Sequence, residues 1–281
     1  MTVVNTNTQA MFANKALAQS HRLQSESSSQ LATGKRVNSA SDDAAGSAIS
    51  SKLSTQVISL NMAVRNSNDG ISMMQTADGA ASGIQDILHR MRELALQANN
   101  GTNSDHEINS MSDEFDKLQE QITSTVANTS WNGMKLLDGS VNVNGVANYH
   151  VGATADDSIA VKFANFNLAS APLMADRSIE RTVGDDGNPN AKDAIVSIDG
   201  AIEQISNARA TWGSAMNTLV HAASSATNMS MNMSASYSRI VDTDYAQATA
   251  DLAKSLILDH AGTAMLSQAN QQPGYVLALL S

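Results

Sequence analysis

The 281-residue chain contains no cysteine, which excludes disulfides, iron–sulfur clusters, cysteine–zinc sites and thiol catalysis together. Only three prolines occur, Pro172, Pro189 and Pro273, so residues 1–171 and 190–272 lack the strongest helix breaker. Aromatic residues make up 4% and charged residues 16%, the latter well below the roughly 25% of an ordinary globular protein. No run approaches the 18 apolar residues of a membrane span, which argues against membrane insertion. The first 20 residues lack the charged start and apolar stretch of a secretory signal. Acidic residues outnumber basic ones 27 to 17, net −10, with no basic block, which argues against a nucleic-acid partner. What is abundant is small and polar, beside a hydrophobic fraction of 42% that rules out an acidic disordered tail.

The apolar residues recur at helical spacing. Ile49, Leu53, Val57, Leu60 and Val64 form one stripe, and Ile108, Met111, Phe115, Leu118 and Ile122 follow a heptad pattern. Ile195, Ile198, Ile202 and Ile205 make a third, resumed by Trp212, Met216 and Leu219. Gly34 and the polar run Asn38–Asp43 interrupt a first helix before a second begins near Ala44. Asn99-Asn100-Gly101 closes that helix, and Ser104 with Glu107 opens the next in a capping-box pattern. A helix over 44–99 would span about 80 Å at 1.5 Å per residue.

Mid-chain the signal changes. Asn132-Gly133 and Asp138-Gly139 are turn dipeptides, and Val141-Asn142-Val143, Asn144-Gly145 and Tyr149 with Val151 read as a hairpin. Ile159, Val161 and Phe163 alternate as a further strand, and 172–193, rich in proline, glycine and acid, reads as a surface loop. The expected fold is therefore mainly α: a long antiparallel helical hairpin or coiled-coil rod with small β-hairpins near 131–166. Its two ends should lie side by side. Residues 1–41 are net +3 and 242–281 net −3, which favours that pairing weakly, since exposed ion pairs contribute roughly 0–1 kcal/mol each.

The six histidines are too widely spaced for a helical metal pair, and the sequence implies no metal or other cofactor. Thr33-Gly34-Lys35-Arg36 lacks the earlier glycine and the hydroxyl residue of a phosphate loop. Asp42-Asp43, Asp156-Asp157 and Asp185-Asp186 read as turn and helix-start residues rather than acid–base pairs. With no nucleophile elbow either, nothing supports an enzyme. The fourteen methionines read as gap-filling core or interface residues. The sharper anomaly is Val276-Leu277-Ala278-Leu279-Leu280, a bulky apolar C-terminus where chains are usually frayed and polar. Buried against its own helices or against another molecule, it points to association, and repeated asymmetric contacts build helical filaments.

Several segments resemble bacterial flagellin: Leu31–Ala40 with Asp42–Gly46, Arg65–Ser72, Arg90–Gln97, Asn132–Gly139, Ser238–Tyr245, and Gln268 to Leu280. They cover nearly the whole chain in the family's order. The resemblance implies a non-enzymatic subunit of the extracellular flagellar filament, exported unfolded by the flagellar type III apparatus. It implies coiled-coil arms lining the filament channel, placed at 1–41 and 242–281, and an outer-tube rod at 42–241, with the extra outer domains of larger members absent. Leu17, Leu31, Leu252, Leu256, Leu266, Val276, Leu277, Leu279 and Leu280 are the expected polymerisation interface. The implied partners are further copies of the chain, the flagellar cap, hook–filament junction proteins and an export chaperone. Arg90, Leu94 and Glu114 match the segment by which a vertebrate flagellin-sensing Toll-like receptor recognises many members. Ser281 ends the chain where arginine is common, Trp131 replaces a usual Phe, and Met11-Phe12 is bulkier than the family norm. A hook–filament junction protein and an adhesive homologue acting through 140–193 stand as alternatives.

Overall fold

A computed structural model describes residues 6–142, 144–154, 156–166 and 189–278, with side chains to residue 272. Five helices are described: α1 (Thr8–Thr33), α2 (Ala44–Ala98), α3 (Asp105–Asn128), α4 (Pro189–Val241) and α5 (Tyr245–Ala278). Between α3 and α4 lie four short strands, β1 (Ser130–Trp131), β2 (Met134–Lys135), β3 (Val146–His150) and β4 (Ser158–Lys162). The mainly α fold with small mid-chain hairpins is the one expected. The chain divides into two compact units, 1–57 with 231–281, and 58–230.

Local chemistry sets the helix ends. Asn7 caps α1 by accepting from the Ala10 N–H. Gly34 ends it in the left-handed conformation at φ 70°, its N–H returning to the Gln30 carbonyl at 2.9 Å. The Asp43 carboxylate accepts from the Gly46 N–H at 2.9 Å at the start of α2. Both halves of the capping box form at α3: the Ser104 hydroxyl accepts from the Glu107 N–H, and the Glu107 carboxylate accepts from the Ser104 N–H at 2.7 Å. Asp244 accepts from the Ala246 N–H at 2.9 Å and opens α5.

In the unit 58–230 the stripes of α3 and α4 become core, whereas of the stripe from Ile49 to Val64 only Leu60 is buried and Ile49 is exposed. Ile84, Leu88 and Met91 of α2, Ile108, Phe115 and Ile122 of α3, and Ile198, Ile205 and Leu219 of α4 are all buried. Trp212 is fully buried, with Phe163 and Phe166 at ring-centroid distances of 5.8 and 6.1 Å. Its indole N–H donates to the Lys162 carbonyl at 3.1 Å, tying α4 to the end of β4. Arg209 donates to Asp78 at 2.7 Å and to Gln85 at 2.8 Å, and Arg92 to Asp199 at 2.6 Å, fixing α4 against α2.

Two expectations are corrected. The strand 146–150 does not pair back across Asn144-Gly145 onto 141–143. β3 pairs antiparallel with β4, Val146 opposite Lys162 and His150 opposite Ser158. Asn142, Asn144 and Gly145 sit at φ 46°, 64° and 73°, so the chain coils there and cannot extend as a strand. Asn132-Gly133 does form the hairpin turn, at φ 47° and 81°, between β1 and β2. The second correction concerns the loop 172–193: its last residues belong to α4, because Pro189 fits the first turn of a helix, where no N–H is needed. Residues 172–188, including Asp185-Asp186, lie outside the described residues.

Candidate assembly surface

In the unit formed by 1–57 and 231–281, α1 and α5 run antiparallel. The amide of Asn7 donates to the Ala269 carbonyl at 2.6 Å, and the Ser20 hydroxyl to the Ser255 carbonyl at 2.8 Å. His21 Nε2 stands 3.3 Å from the Asp259 carboxylate. Past the end of α1 the Thr243 N–H donates to the Gly34 carbonyl at 3.0 Å and the Arg36 N–H to Val241 at 2.6 Å. Lys35 and Asp242 thus face each other across a short antiparallel bridge. In the loop between α1 and α2, the Asp42 carboxylate accepts from the Asn38 and Ser39 N–H groups, which hold it below its usual carboxylate range.

What this pair of helices buries is small: Ala10, Ala13, Ser20 and Ser27 from α1, Ala248, Ser255 and Ala269 from α5, with Leu17 the largest member. The bulky apolar residues point away. Phe12 is 76% exposed, Ile257 68% and Met265 62%, and Met11, Leu23, Leu256 and Leu258 are exposed as well. Phe12, Leu23, Leu258 and Met265 line an open groove of about 950 Å³ along both helices, together with the buried Ala13 and Ala269 and with Gln19, Gln268 and Gln272. Burial of apolar surface gains about 25 cal/mol per Å², so an isolated hairpin leaves this gain unrealised. Such a face marks an association site.

The expected interface residues distribute unevenly over this geometry. Leu256 is on the exposed face; Leu31, Leu252 and Leu266 are half-buried; Leu17 is spent within the α1–α5 contact. Val276 and Leu277 lie on helical backbone whose side chains, like Leu279 and Leu280 altogether, fall outside the described residues. Phe12, Ile257 and Met265 were absent from the expected set. A signal for them exists: Leu256-Ile257-Leu258 places three apolar residues in a row on a helix, which turns 100° per residue, so one partner cannot cover all three.

In the other unit, Arg90 of α2 and Glu114 of α3 meet. Arg90 Nε donates to the Glu114 carboxylate at 2.9 Å, and its Nη1 to Glu93 at 3.1 Å. These carboxylates raise the Arg90 guanidinium above its ordinary value, Glu114 having the larger effect. Leu94, one turn on, is only 2% exposed and belongs to the core. Among the described residues no group of three or more metal-ligating side chains forms, and no helix is long and apolar enough to cross a membrane.

Helices that join through small residues and leave Phe12, Ile257 and Met265 exposed mark a protein that associates. The chain belongs to the bacterial flagellin family, whose members are non-enzymatic subunits of the extracellular flagellar filament. The family model described as "Bacterial flagellin N-terminal helical region" matches residues 4–142, and "Bacterial flagellin C-terminal helical region" matches 195–280. The chain is 38% identical to a flagellin of Halalkalibacterium halodurans over 280 residues, covering 99% of each chain. It is 35% identical to a flagellin of Bacillus subtilis over 301 residues, and 34% identical to a "Flagellar filament 31.3 kDa core protein" of Treponema maltophilum over 285, again covering 99% of both chains.

Proposed function

We propose that this subunit polymerises through the outward apolar faces of α1 and α5, which close against neighbouring copies as the inner layer of the filament. The observation that carries this reading is the size segregation in that pair of helices, alanine and serine inside against Phe12, Ile257 and Met265 outside. On this reading the arms are 1–41 and 242–281 and the outer-tube layer is 42–241. Export by the flagellar type III apparatus accords with a chain free of disulfides and short of proline. On this reading the partners are other copies of the chain, an export chaperone, the hook–filament junction proteins and the cap.

Arg90 and Glu114, paired on the surface, and Leu94 beneath them are the candidate contact for a flagellin-sensing Toll-like receptor. Leu94 would act there by fixing the α2 backbone under Arg90 rather than by direct contact. Arg90→Ala, which removes both ion pairs, is the variant that tests this partner.

Removal of residues 242–281 tests the main reading. The shortened chain is expected to stay soluble, with α1 losing helicity by circular dichroism, because an arm without its partner cannot offset its ordering entropy. Filaments of normal diameter grown from the shortened chain by seeded polymerisation would overturn it.

A further inference from the structure

The described methionines differ in environment. Met73, Met74, Met91 and Met111 are buried in the core of the unit 58–230, while Met11 on α1 and Met265 on α5 are exposed. Met265 lines the groove beside Phe12, Leu23 and Leu258, with Gln268 and Gln272 also in its lining. The chain has no thiol, so thioethers are its only oxidisable sulfur. An exposed thioether reacts readily, and its sulfoxide exchanges an apolar side chain for a polar, chiral one.

We propose that Met265, together with Met11, is an oxidation-sensitive modification site that controls self-association, with peroxides as the reacting class. The sulfur lone pair attacks one oxygen of hydrogen peroxide and the O–O bond breaks. The thioether becomes a sulfoxide, and the departing hydroxide takes up the remaining proton as water. The sulfur is oxidised by two electrons and the peroxide reduced by two, so no further reactant is needed. The new S=O dipole then has to give up its water when Phe12, Leu258 and their neighbours close against another copy, which penalises association. Reduction by a methionine sulfoxide reductase reverses the change. The proposal rests on α1 and α5 being the association surface.

Full-length monomer treated with hydrogen peroxide, mapped by peptide mass spectrometry and then seeded, provides the test. The expected result is sulfoxide at Met265 and Met11 with Met73, Met74 and Met91 spared, and elongation slowed about tenfold, which corresponds to 1.4 kcal/mol. Leucine conserves volume, so the double variant Met11→Leu/Met265→Leu should elongate at the untreated rate after the same exposure, although Met62, Met134, Met229 and Met231 remain open to oxidation. Met265→Gln, a polar side chain of similar length, should slow elongation with no oxidant. Treatment of finished filaments should leave Met265 unmodified. Undiminished elongation of monomer carrying sulfoxide at both positions, or equal loss in the double leucine variant, overturns the proposal. The untreated chain lacking 242–281 tests the underlying association surface separately: if that chain polymerises, the surface is wrong, whatever oxidation does.

Discussion

Tyr149 shows how a single residue can be placed by its sequence pattern yet take its chemistry from elsewhere. Alternation in β3 turns its ring inward, where its hydroxyl donates to the Met73 sulfur at 2.9 Å. Removed from water, the phenol is pushed up from 10.0 to about 12, because burial disfavours the phenolate. The folded state therefore holds this proton more tightly than the unfolded state. Its stabilising contribution is fully present below pH 10 and is lost as pH rises toward 12. We expect the phenolate absorbance that disappears in Tyr149→Phe to titrate near pH 12 in a spectrophotometric titration; titration near pH 10 would show the ring to be solvated. The alternation was legible in the sequence. Met73, 76 residues away on α2, was not, because nothing local links the two.

Elements were legible in proportion to how local their causes are. Gly34, Asn99-Asn100-Gly101 and Ser104 with Glu107 act within one helical turn, and each boundary falls where those residues put it. The hairpin near 141–151 was misread because Asn144-Gly145 is a strong local turn signal. Strand pairing is a long-range choice, and β3 found the alternating Ile159 and Val161 of β4 instead. Besides the Tyr149–Met73 bond, that hairpin is docked by Trp212 against Phe163, Phe166 and the Lys162 carbonyl. Trp212→Ala should cost about 3–5 kcal/mol, the range for emptying a large aromatic site in a packed core. Urea denaturation of the full chain, followed by circular dichroism, would register it as a lower midpoint. A midpoint unchanged within error would mean that the Trp212 contacts contribute nothing to the core of 58–230.

At the scale of the molecule, the same sequence yields two kinds of packing. The unit 58–230 closes on itself: its large side chains meet each other, and Arg209 with Asp78 and Arg92 with Asp199 fix the helices in register. The α1–α5 pair does the reverse, joining through small residues and backbone carbonyls while Phe12, Ile257 and Met265 face outward. Gly34 marked the end of a first helix, and the resemblance implied coiled-coil arms. Neither said which arm residues would be satisfied within one chain, since Leu17 and Leu256 look alike in sequence and only one is buried. An outward apolar face is unstable as an end state in water and stable as an intermediate on the way to a polymer. Helical reconstruction by electron cryomicroscopy of filaments grown from this chain tests that account most directly. Phe12, Ile257 and Met265 should be buried between neighbouring copies, with α1 and α5 nearest the filament axis. Filaments in which those three side chains remain in contact with solvent, or in which 58–230 lies inside the arms, would contradict it.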